Sequence, residues 1–199
     1  MLIKICNKLL ILLFFLILQT GFAYSITPEN FIKGVTKKAS EILRKDIDKD
    51  DKSKELIVLA KESVDIKGIG LYTLGKHKKT ITEEQLNEYE ILFNNYFLKS
   101  FSSRLSEYSD PKINVVSQKF LNEKYTMVSS ILVGDDNRPE IKIEWRVYTK
   151  NPDKPLIRDL IIEGLSLART QKEEFASVLS SNDNNMNALF SKLEEFINQ

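Results

Sequence analysis

The hydrophobic period changes sharply near Asp110-Pro111, and that change limits the folds open to this chain. Upstream, Leu86, Tyr89, Phe93, Phe97, Phe101, Leu105 and Tyr108 recur at steps of three and four residues. Such spacing puts them on one face of a long helix with an aromatic stripe. Thr82-Glu83-Glu84-Gln85 just before it has the form of a capping box. Downstream, Ile141, Ile143, Trp145 and Val147 alternate with Lys142, Glu144, Arg146 and Tyr148, the pattern of a strand with one buried face. The chain must bury a helical stripe and a sheet face together, which predicts an α+β domain.

The rest of the chain fits around these two elements. Thr27-Pro28 reads as a helix start, followed by Phe31, Ile32, Val35, Ala39, Ile42 and Leu43 on one face. Asp46–Lys52 reads as a solvated loop. Ser53 is expected to cap a short second helix, and Asp65 a third that stops at Gly75. Lys112–Leu121, Lys124–Val133 and Pro155–Ile162 read as further strands. Their short, turn-rich links at Gly134–Pro139 and Lys150–Lys154 imply an antiparallel sheet. Thr170-Gln171-Lys172-Glu173 has a capping-box form and is expected to open a helix. A last helix carries Met186, Leu189, Phe190, Leu193 and Phe196.

The N-terminus has its own chemistry. Leu9–Leu18 is an unbroken apolar run behind Lys4 and Lys8, roughly half the length a membrane-crossing helix needs. Small residues at Gly21 and Ala23 complete the pattern of a secretory signal peptide, residues 1–23, leaving one domain over 24–199. No Cys follows the run, so a bacterial lipid anchor is not indicated. The leader carries Cys6, the sole cysteine of the 199 residues. The mature domain is then free of thiols and forms no disulfide in an oxidising compartment.

Composition and motifs narrow the chemistry. A net charge of +1 removes the electrostatic case for nucleic-acid binding. One histidine and one cysteine cannot build a Cys/His zinc site, and no metal is expected. His77 sits within Lys76-His77-Lys78-Lys79, without an orienting carboxylate nearby in sequence. A solvated basic loop is the simpler reading, and a phosphate or membrane surface is what such a cluster could meet. Gly164-Leu165-Ser166 resembles a nucleophile elbow only superficially, since the histidine precedes the serine and no βαβ pattern surrounds it. Asp46, Asp48 and Asp50 begin like a calcium loop, but Asp51 stands where glycine is needed and Ile57 where glutamate is. Gly68-Ile69-Gly70 lacks the third glycine of a dinucleotide turn. No catalytic residue is expected. The aromatic stripe has two readings: ordinary core, or the wall of a dry cavity for an apolar ligand.

A family resemblance bears on that choice. Ile143-Glu144-Trp145-Arg146, then Arg158-Asp159-Leu160-Ile161-Ile162-Glu163-Gly164-Leu165-Ser166-Leu167, then Thr170–Phe175 resemble the MlaC family. These are periplasmic phospholipid-binding proteins of the Mla lipid-asymmetry pathway, also called toluene-tolerance proteins. Leu74-Gly75, the Gln85, Tyr89, Phe93, Phe97 ladder and Leu105 with Tyr108 match in order and spacing. The chain departs at Pro155, where the family usually has Trp, and at Lys76–Lys79, where an aromatic is common.

The resemblance implies an NTF2-like curved antiparallel sheet on a helical layer, with an apolar cavity between them. It implies a periplasmic, monomeric carrier of glycerophospholipid with no cofactor. Its partners would be an outer-membrane lipoprotein–porin complex and an inner-membrane ABC complex with an MCE ring protein. The expected lining is Ile69, Phe93, Phe97, Phe101, Met127, Ile143, Trp145, Val147, Ile161 and Leu165. Two other readings remain: an NTF2-like enzyme on a small apolar substrate, using Asp159 or Glu163, and an envelope interaction module whose interior is only core.

Overall fold

The computed structural model describes residues 26–134 and 139–199. The expected leader, and most of the turn at 134–139, lie outside the described residues. Among the described residues no helix is long and apolar enough to cross a membrane.

Helix α1 spans Pro28–Arg44, and the Thr27 hydroxyl accepts from the Asn30 N–H to cap it. Helix α2, Lys49–Ser63, begins earlier than its sequence indicates. Asp48, not Ser53, is the cap, accepting from the Asp51 N–H. Asp50 and Asp51 then lie in the first turn, where the helix dipole favours acids. The acidic stretch thus serves as a helix start rather than a loop. Asp65 caps α3, Ile66–Thr73, and Gly75 ends it at φ +56°. The lysine cluster is a 3₁₀ turn, Gly75–Lys79, with His77 buried. Helix α4 spans Glu83–Leu105, with the Thr82/Gln85 capping box formed.

Five strands follow in sheet order β1-β2-β3-β4-β5: Ile113–Asn122, Tyr125–Leu132, Ile141–Tyr148, Leu156–Ile162 and Leu165–Ser166. Each neighbouring pair is antiparallel, so the sheet is a simple open meander. Register shifts interrupt β1 twice and the β3–β4 pairing once, at Arg146/Val147. Irregularities of this kind bend a sheet and strengthen its twist.

Strand β5 and the start of the next helix differ from expectation. Glu163 and Gly164 both have positive φ, +49° and +82°. Such a pair makes the tight turn of a two-residue hairpin. The chain therefore folds back at once to form β5. Helix α5, Leu167–Ser180, then starts ahead of the capping-box pattern at Thr170, and Ser166 is its cap. Helix α6, Met186–Asn198, follows.

The core joins both layers. Ile32, Ala60, Leu74, Tyr89, Phe93, Phe175, Leu179, Leu189, Phe190 and Leu193 come from the helices and their links, and meet Val128, Val147 and Ile157 from the sheet. The result is the α+β arrangement that the change of period predicts.

Candidate functional site

The aromatic row of α4 runs from deep core toward the surface. Tyr89 is fully buried and Phe93 is 2% exposed, whereas Phe97 and Phe101 are half-buried. Successive ring centroids lie 5.7, 6.2 and 6.0 Å apart, and Phe97 and Phe101 are nearly parallel at 10°. Phe175 of α5 stands at right angles to Phe93, at 6.2 Å.

Local geometry fixes the buried end. The Tyr89 hydroxyl donates to the Gly70 carbonyl at 3.2 Å and lies 2.7 Å from the Thr73 hydroxyl. Burial pushes the Tyr89 phenol far above its usual range, so it stays neutral. A Cβ on Gly70 would meet the Phe93 ring at 2.8 Å, so only glycine lets α3 approach this closely.

The register sorts the sheet candidates. Residues directly opposite in an antiparallel ladder share a face. Trp145 lies opposite Val128 and Leu160, and Val147 opposite Thr126 and Ile157. Val128, Val147 and Ile157 belong to the core, so this is the inner face. Ile143, opposite Ser130 and Ile162, is on it too. Trp145 is half-buried, and its indole N–H donates to the Ser130 hydroxyl at 2.8 Å. The Ser130 hydroxyl in turn donates to the Ile143 carbonyl at 3.3 Å.

Met127 pairs with Arg146, which places it on the reverse face. Ile161 is 8% exposed, on the buried parity of β4 with Ile157 and Asp159, beyond the register shift that separates it from the Val147–Ile157 pair. Leu165 lies beside the Glu163-Gly164 turn, 59% exposed, at the rim. Ile69, Phe93 and Val147 therefore belong to one core, with Phe97, Phe101 and Trp145 packed against it, while Ile143 is buried on the same sheet face. Met127 and Leu165 stand apart from that group.

Sequence reasoning missed Val115, Val128, Ser130 and Phe175. The inner parity of β2 carries Thr126, Val128 and Ser130, while the outer carries Met127 and Ile131. The more polar set faces inward, so hydrophobicity alone selects the wrong face. The inner serine is accommodated by its bonds to Trp145 and Ile143. Placing Trp145 inward and tracing its cross-strand partner would have found Val128.

Half-buried Phe97, Phe101, Val115 and Trp145 pack against the core from its margin. Three open surface depressions lie elsewhere: along α5 and α6 at Ser177 and Lys192, on α4 at Asn87 and Asn94, and between α1 and α2 at Lys38 and Glu62. None of the expected lining residues borders them.

The acids near the Glu163-Gly164 turn are engaged in structure. Asp159, 4% exposed, accepts from the Ser166 hydroxyl at 2.7 Å and the Ala168 N–H at 3.1 Å. Arg146 lies 3.6 Å from the same carboxylate. Glu163 accepts from the Lys142 N–H and closes the turn against β3. Among the described residues no group of three or more His, Cys, Asp or Glu side chains is placed to hold a metal.

A family model described as MlaC protein matches residues 33–195. The three-dimensional structure of a phospholipid-binding protein from Ralstonia solanacearum, in complex with a phospholipid, superposes with a TM-score of 0.73. The identity is 18%, and the likeness covers 87% of this chain and 98% of that one. No match to a curated protein was found.

Proposed function

This chain belongs to the MlaC family, and from that premise we propose that it is a periplasmic phospholipid carrier. The carrying observation is the aromatic row that passes from closed core at Tyr89 and Phe93 to half-buried Phe97 and Phe101, with half-buried Trp145 of the sheet packed against the same core. In this reading the acyl tails insert between α4 and the inner face of the sheet from that half-buried margin. The headgroup stays in water.

The energetics explain why a carrier is needed. Each methylene moved out of water is worth about 0.8 kcal/mol, so two tails with about thirty methylenes resist exposure by on the order of 20 kcal/mol. Unaided passage across an aqueous compartment is negligible, and an apolar interior removes the barrier. No bond breaks, so the function asks for no nucleophile, acid or metal. The engagement of Asp159 with Ser166 and Ala168 supports this reading over an enzyme on a small apolar substrate.

The leader 1–23 would bring the domain to the periplasm. There it would shuttle lipid between an outer-membrane lipoprotein–porin complex and an inner-membrane ABC complex with an MCE ring, maintaining outer-membrane asymmetry. Nothing in the sequence resembles a nucleotide site, so direction would be imposed by the energised partner. Native mass spectrometry of the protein purified from a two-membrane bacterium tests the proposal. The expected spectrum contains a species heavier by one phospholipid. Protein that is lipid-free and acquires none from vesicles would contradict it.

A further inference from the structure

The lysine turn is not absorbed by lipid carriage, and the fold gives it company. His77 turns inward, which leaves Lys76, Lys78 and Lys79 on the surface. Lys172 of α5 reaches over from the other side. Its ammonium lies 5.1 Å from the centre of the Tyr72 ring, and a Cβ on Gly75 would stand 3.0 Å from its Cε. Arg169, exposed, precedes Lys172 by one helical turn.

Tyr72 is itself 44% exposed. Some cations elsewhere pair with acids, as Lys33 does with Glu29, Lys45 with Glu55, Lys67 with Glu90 and Arg158 with Asp65, and those unpaired among the described residues, such as Lys61, Lys119 and Lys150, are scattered along the chain rather than gathered in one turn. Among the described residues, Lys76, Lys78, Lys79, Arg169 and Lys172 have no carboxylate partner. Glu173 is the adjacent acid on α5, while Glu174 is bonded to Gln171.

We propose that Tyr72, the Lys76–Lys79 turn, Arg169 and Lys172 form a docking patch for a bilayer surface rich in anionic phospholipid. The charge is complementary to such a surface. An exposed tyrosine ring with a lysine stem beside it is a combination that settles at the boundary between headgroups and tails. An acidic protein surface would call for the charge but not for the exposed ring. None of the patch residues is among the expected lining residues, so docking and carriage can be measured separately.

Vesicle flotation tests this, using equal parts phosphatidylglycerol and phosphatidylethanolamine against pure phosphatidylcholine. Wild type is expected to float with the anionic vesicles only. Floating should be lost between about 0.1 M and about 1 M salt, where the screening length falls from about 10 to about 3 Å. Lys76→Glu/Lys79→Glu should lower binding by on the order of tenfold or more, and Tyr72→Ser should lower it as well. Lys119→Glu/Lys124→Glu, on the β1–β2 hairpin, should float as wild type does. Circular dichroism confirms that each variant is folded. Equal floating of the patch variants, equal loss in the hairpin control, or a wild type that does not prefer anionic vesicles would each overturn the proposal. The last is also the outcome if the patch meets an acidic protein. Lipid content of each variant, measured in parallel by mass spectrometry, reports on carriage independently of docking.

Discussion

The Asp159 carboxylate accepts a hydrogen bond from the Ser166 hydroxyl at 2.7 Å, across the Glu163-Gly164 turn. The same Ser166 oxygen caps α5 by accepting from the Arg169 N–H, and Asp159 also accepts from the Ala168 N–H. The Asp, Glu-Gly and Ser of this stretch thus make one device that reverses the chain and starts a helix. Asp159→Ala should destabilise the fold by about 2–3 kcal/mol, because it strands a buried N–H and a hydroxyl. Ser166→Ala should cost about 1 kcal/mol as a lost cap. The double variant should lose less than the sum of the two, read by urea denaturation.

Gly68 and Arg158 are coupled in a way that should reverse the sign of a mutation. Arg158 donates to Asp65 at 2.6 Å and to the Tyr125 hydroxyl at 3.2 Å, with its guanidinium 4.5 Å from the Tyr148 ring centre. A Cβ on Gly68 would fall on the Arg158 Nε, well inside van der Waals contact. Gly68→Ala alone should therefore destabilise, by about 1–3 kcal/mol. In an Arg158→Ala background the clash is gone. The same change should then be neutral or stabilising by up to about 1 kcal/mol through helix propensity. Denaturation midpoints of the four proteins decide it.

His77 makes stability depend on pH. Burial first, and the neighbouring Lys76 second, hold its imidazole below the ordinary value of 6.5. Below that value the unfolded chain takes up a proton that the folded one refuses. The His77 contribution to stability is therefore full above pH 6.5 and falls as pH drops toward the folded value. Melting temperature followed from about pH 7.5 down to about pH 5.5 should fall more for wild type than for His77→Asn. Equal slopes would show that His77 is not the titrating group.

The helices and most of their ends are legible in the sequence, because caps are local. Thr27, Asp65 and the Thr82/Gln85 box act within one turn of themselves. Two helix starts are not legible, because several good caps stand close together. Asp48 competes with Ser53 at α2, and Ser166 competes with Thr170 at α5. At Ser166 the choice is tied to Asp159, a residue on the preceding strand.

The candidate site is half legible. The α4 row follows from spacing alone, and so do Ile143, Trp145 and Val147. Met127 cannot be placed this way, since a face is set by pairing register, and the inner parity of β2 is the more polar one. Leu165 depends on a turn with a positive-φ glutamate that no spacing rule marks.

Lipid occupancy of two substitutions on α4 tests the central claim most directly. Phe101 is half-buried at the end of the aromatic row, and Ile91 is 64% exposed on the same helix. Native mass spectrometry should find phospholipid on wild type and on Ile91→Asp. Phe101→Asp, folded by circular dichroism, should have lost most of it. Phe101→Asp loaded as fully as wild type, or a wild type with no phospholipid, would contradict the account.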